Sequence, residues 1–141
     1  YGTQIFSNIS SAEQVHMEKI LELLTAYGIA DPASTEIGIF NNPDLQTLYN
    51  ALTANCNLSL GDALTVGAII EDLDIFDLDE ALSTTSRGDI INVYDLLKCG
   101  SENHMRAFSK QLNNRGINYT PKHISQTVYD TILADTNGPC Q

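Results

Sequence analysis

The sequence predicts an all-α fold, an antiparallel helical bundle with a long crossover connection, and three observations lead there. Apolar residues recur at the three-and-four spacing of helix faces through several long stretches. No segment of useful length alternates with the period of two that a half-buried strand requires. The two longest helical stretches are separated by only a few residues, which allows nothing but an antiparallel hairpin.

Taken in order, the segment to Ile9 reads as a loop. A helix over about residues 11–27 follows, opened by the capping box Ser10-Ser11-Ala12-Glu13 and stopped at Gly28. Pro32 and Gly38 mark a long connection, and Asn42-Pro43 starts a short helix over about 43–55, with Asn as cap and Pro in the first turn. Ser59 to Asp62 opens a long helix over about 59–84, and Asp89 leads another over about 89–115, closed by Gly116. A last short helix is expected over about 125–133. The stretch joining the first long helix to the second is a crossover rather than a turn. The whole of residues 1–141 is read as one domain.

Composition narrows the function. Eighteen acidic residues against seven Lys plus Arg give a formal charge of −11, a surface that repels phosphate backbones and argues against nucleic-acid binding. Apolar runs are broken by Asp or Glu well short of the roughly 18 residues a membrane span needs. Cys56, Cys99 and Cys140 show no CxxC spacing, so a thiolate zinc site is not expected. Cys56 and Cys140 fall in expected loop and tail, where a disulfide would form in an oxidising compartment, leaving Cys99 as an odd thiol. The Asn-X-Ser/Thr triplets at Asn8, Asn57 and Asn118, with the low lysine content, point to an exported or extracellular protein. No nucleophile elbow or triad-like spacing supports a hydrolase.

The chemistry lies in the polar residues that interrupt the apolar stripes. In the first long helix Glu13 and His16 share a face with Ile20, Leu23, Leu24 and Tyr27. A Glu-X-X-His pair projecting inward from one helix is a metal-ligand arrangement of carboxylate bundles. In the next, Glu71 falls in the middle of the stripe formed by Leu64, Gly67, Ile75 and Leu78, with Asp74 bordering it. Asp72, Asp77, Asp79 and Glu80 point elsewhere and are expected to face solvent. An unpaired carboxylate at the position of Glu71 is expensive. Gly67 in a helix interior suggests close approach of a neighbouring helix. In the last long helix His104 lies on the inner stripe with Tyr94, Leu97, Ser101 and Phe108. Hairpin register puts Glu71 opposite Ser101, Asp74 opposite Lys98, and His104 about one turn from Glu71. One difficulty remains in this reading: Glu13 stands near the start of its helix and Glu71 well inside its own. The short helix over about 43–55 would then have to lie beneath the first.

The stretches FSNISSAEQVHM, VGAIIEDLDIFDL and GSENHMRAF, with the closing YTPKHIS segment, resemble a small ferritin-like family of bacteria and archaea catalogued as a domain of unknown function. The resemblance runs from Tyr1 to about Leu133. It implies a ferritin-like antiparallel four-helix bundle whose metal site draws on Glu13, His16, Glu71 and His104, with Asp74 a further ligand. Two departures stand out. The second Glu-X-X-His pair expected of di-iron bundles has Ser101 in its first position, and the family's Glu-rich first helix is missing from this chain.

These readings give two expectations of function. One is a metal-binding protein, with a di-iron site, or iron with manganese or another divalent ion, acting on oxygen, peroxide or ferrous iron. The other is a metal-poor structural or interaction module in which the Glu and His pairs form a hydrogen-bonded core. Without that helix the bundle is open, so either another chain, a second copy or a cleaved segment is expected to supply it, which would make an oligomer, or the sequence is incomplete.

Overall fold

The computed structural model describes residues 2–135 and 140, and among these the only regular elements are five α-helices. They are α1 (Gln4–Ala26), α2 (Pro43–Cys56), α3 (Leu60–Thr84), α4 (Gly88–Asn113) and α5 (Gln126–Ala134). The α3–α4 hairpin is the spine. Leu64, Ala68 and Ile75 of α3 close on Met105, Phe108 and Leu112 of α4, and Tyr119, Ile124, Tyr129 and Ile132 complete the same core. Gly67 lets the Phe108 ring of α4 lie directly against the α3 backbone. A side chain there would run into the Phe108 ring, 2.8 Å from its Cε2, as the sequence suggests.

The first helix α1 packs on α4. Its end is fastened to the start of α4 by Tyr27, whose hydroxyl donates to Asp89 Oδ2 at 2.7 Å and accepts from Arg87 Nη1 at 3.1 Å. The two helices therefore run antiparallel. No residue of α1 is fully buried. An amphipathic helix with apolar Phe6, Ile9 and Ile20 on its inner side is left half-covered when only one neighbour packs against it.

Several expectations are corrected by the structure. The first helix begins at Gln4 with Thr3 as its cap residue, so Ser10 and Glu13 lie inside the helix and do not cap it. The capping-box pattern is met, but an unbroken run of helix-compatible residues precedes it, and in mid-helix Ser11 Oγ simply donates back to the Ser7 carbonyl at 3.0 Å. This removes the difficulty of level, since Glu13 then lies nine residues into α1 and Glu71 eleven into α3. The short helix α2 accordingly packs on α3 and does not prop up α1. Its Asn42 cap accepts from the amides of Asp44 and Leu45, and Ser59 caps α3 through the Asp62 amide.

Asp72 is fully buried, not solvent-facing. Its carboxylate accepts from the Tyr119 hydroxyl at 2.7 Å and from the backbone amides of Lys122, His123 and Ile124 at 2.5, 3.2 and 2.9 Å. Burial alone would raise its pKa, but these donors hold it below the usual carboxylate value. The bonds lash the segment between α4 and α5 onto α3. Helical angle predicts an outward Asp72 only when nothing beyond the hairpin is counted, and it is the later segment that buries it. The register also differs at Lys98, whose Nζ bonds Asp79 Oδ1 and not Asp74.

The disulfide joins Cys99 to Cys140, with Cα atoms 5.8 Å apart, and leaves Cys56 as the free thiol. Cys99 lies on the side of α4 that the chain end reaches, where Asn103 Nδ2 donates to Cys140 Sγ at 2.9 Å. Cys56 closes α2, beyond that reach.

Replacing Asp72 with Ala would strand three amides and a hydroxyl in the core. The expected loss is about 3 kcal/mol or more in urea unfolding, against about 1 kcal/mol for Tyr119→Phe, which removes one donor.

Candidate metal centre

Three helices deliver one polar cluster into the apolar interior. Glu13 comes from α1, Glu71 from α3 and His104 from α4, each through a position where helical periodicity turns the side chain inward. Each offers one ligand atom, and these atoms lie within 4.8 Å of one another. Glu71 is 3% exposed and His104 9%, whereas Glu13 is half-buried.

The contacts have an unusual character. His104 Nδ1 lies 2.9 Å from Glu13 Oε1 and 3.5 Å from Glu71 Oε1. Yet neither His104 Nδ1 nor Glu13 Oε1 makes an aligned hydrogen bond, and Glu71 Oε2 is buried with no partner. A core network selected for hydrogen bonding satisfies its atoms pairwise. Here the atoms gather around a shared space, with His104 Nδ1 and Glu13 Oε1 in ion-pair contact and Glu71 Oε2 left without a partner.

The electrostatics fit that arrangement. Burial pushes the Glu71 carboxyl up, only partly offset by His104. Burial also works to raise Glu13, but the neighbouring imidazoles of His104 and His16 bring it below the usual carboxylate value. For His104 burial acts downward, and the two carboxylates override it, raising the imidazole to about 9. At neutral pH the imidazolium proton supplies positive charge among the acids, the place a bound cation would otherwise fill.

His16 and Asp74 stand beside this trio. His16 Nδ1 is 3.1 Å from Glu13 Oε2, and its ring centroid is 5.8 Å from that of His104. Glu13 thus has one imidazole at each oxygen. Asp74 lies on the α3 wall next to Glu71, its carboxyl pushed up to about 7 by burial and then by the charges of Glu71 and Glu13. Ser101 is buried at 1% exposure on α4, where a second Glu-X-X-His pair would carry its acid. Tyr94 lies away from the cluster, among Ile20, Leu23 and Tyr27.

The cluster borders two clefts, a smaller one between α1 and α4 beside His104, lined by Ile5, Asn8 and Ala107, and a larger one on the α3 side. Between α1 and α3, which do not pack on each other, runs a cleft of about 890 Å³ walled by Phe6, Ile9, Val66, Ile70 and Phe108, with Glu13, Glu71 and Asp74 along its polar end. Sequence reasoning missed the part played by Gly100 of α4. Its lack of a side chain makes room for the His16 ring. The only available signal was a glycine inside a long helix.

A solved structure, the crystal structure of hypothetical protein MJ0754 from Methanococcus jannaschii, superposes with a TM-score of 0.94 at 47% identity, covering 96% of this chain and 78% of that one. In sequence, the uncharacterized protein MJ0754 of Methanocaldococcus jannaschii is 48% identical over 134 residues, 94% of this chain and 72% of the relative. The model of an uncharacterized protein domain, DUF2202, matches residues 1–136. The chain belongs to that DUF2202 family.

Proposed function

We propose that this protein is a ferritin-like metal-binding protein whose centre is formed by Glu13, Glu71 and His104, with His16 and Asp74 completing the ligand set. The reading is carried by one observation: donor atoms from three helices meet within 4.8 Å, and several of them are buried without an aligned hydrogen-bond partner. Carboxylate oxygens with imidazole nitrogens and no thiolate suit iron or manganese. Glu13, with His104 at one oxygen and His16 at the other, is placed to serve two ions, which favours a dinuclear iron site. A pair of such ions would supply redox chemistry toward oxygen or peroxide, or toward ferrous iron as substrate. The protein's own part is to hold the ligands and to carry protons on His104 and Asp74 when no cation is bound.

The cleft between α1 and α3 supports a four-helix arrangement in which another helix, from a further chain, a second copy or an adjoining segment, covers the open side. The Cys99–Cys140 bond favours an exported or extracellular setting.

Protein purified without chelators should carry iron or manganese by elemental analysis. Glu71→Ala and His104→Ala should each lower the metal content at least tenfold at equal protein. Substoichiometric metal that neither change affects would favour the structural module, with the cluster as a core network.

The metal-free protein should also lose stability as pH rises from about 5 to 9. Asp74, raised to about 7, folds most favourably while protonated, and its penalty grows from its unfolded value near 3.8 up to about 7. His104, raised to about 9, contributes fully below about 6.5, and that contribution is lost as pH passes through 9. The lowered Glu13 works the other way only below about 4.5. Thermal unfolding across this range checks the sign, and added Mn(II) should reverse the slope because the cation replaces the protons.

A further inference from the structure

An imidazole lies where a side chain of α4 ought to be. Gly100 sits in the middle of α4, is buried, and has ordinary helical geometry, so the backbone asks nothing of glycine there. In a helix interior glycine is less favourable than alanine. Space is what it provides. A methyl group on Gly100 would overlap His16 Cε1 and fall 2.5 Å from its Nε2, whereas Nδ1 is 3.7 Å away. The Cε1–Nε2 edge of the ring therefore rests in the hollow, and the remaining nitrogen faces Glu13 Oε2 at 3.1 Å. The comparable hollow at Gly67 is filled by Phe108, a matter of apolar packing. At Gly100 the guest is a polar ring whose free nitrogen meets a carboxylate of the metal centre.

We infer that Gly100 is a positioning residue of the metal centre: its empty side-chain site seats His16 so that Nδ1, and not Nε2, is the nitrogen presented to Glu13. In the metal-free protein His16 Nδ1 then lies 3.1 Å from Glu13 Oε2 while Glu13 Oε1 lies 2.9 Å from His104 Nδ1, so one imidazole stands at each carboxylate oxygen. The inference rests on the metal-binding reading for its consequence, but the seating of His16 is a property of the metal-free protein and is measured separately.

The test uses Gly100→Ala, His16→Ala and the double variant, with Co(II) binding followed by titration calorimetry and the histidine ring nitrogens followed by NMR without metal. Gly100→Ala should weaken Co(II) about tenfold and shift the His16 ring nitrogen signals, while those of His123 stay in place. The double variant should bind no more weakly than His16→Ala alone, because alanine at position 100 then has no ring to displace. Should Gly100→Ala fail to fold, removal of the ring in the double variant is expected to restore a cooperative transition. Unchanged His16 signals with unchanged Co(II) binding would overturn the positioning role, as would fully additive losses or a double variant that also fails to fold. Wild-type protein that takes up no Co(II) would overturn the metal-binding reading, and the NMR arm would still decide how His16 is seated.

Discussion

A carboxylate withdrawn from water with an oxygen unpartnered costs about 1–3 kcal/mol or more, and the α3–α4 hairpin imposes that state on Glu71. The hairpin cannot avoid it while keeping its core, because Glu71 shares the inward stripe with Leu64 and Ile75, and their partners on α4 fix the rotation of both helices. The other polar placements follow from this one. His104 faces Glu71 from the opposite helix, Glu13 reaches the same level from α1, and His16 holds the far oxygen of Glu13. A proton on His104 relieves the charge in the absence of a cation, but it does not give every buried atom a partner. Stability alone would be served better by apolar side chains at these positions.

The neighbouring Asp72 shows the contrast. It is as deeply buried as Glu71, yet four donors satisfy it, and its role is to fasten the segment from Tyr119 to Ile124 to the hairpin. Adjacent acids on one helix thus do opposite things: one is fully bonded and structural, the other is held short of partners at a meeting point of three helices. Burial by itself does not separate them, but the count of partners does.

Much of this was legible in the sequence because helical periodicity is a local signal. The stripe through Leu64, Gly67 and Glu71, and that through Ser101, His104 and Phe108, place the hairpin's polar atoms from spacing alone. What failed depended on parts distant in the chain. Asp72 looks outward until Tyr119 and Ile124 cover it, and the pairing of Cys99 depends on where the chain end arrives. The capping box at Ser10 was a genuine pattern in a place where the helix had already begun at Gln4. Gly100 shows in sequence only as a glycine inside a long helix, and the position of His16 is what gives its hollow a purpose.

The proposed metal centre requires that the converging atoms of Glu13, Glu71 and His104 surround an ion. Diffraction from crystals soaked in ferrous iron, recorded on either side of the iron absorption edge, puts that to the test. An anomalous peak is expected at about 2.0–2.2 Å from His104 Nδ1 and from a carboxylate oxygen of Glu13 and of Glu71. No peak there, with the three side chains instead hydrogen-bonded to one another or to water, would contradict it.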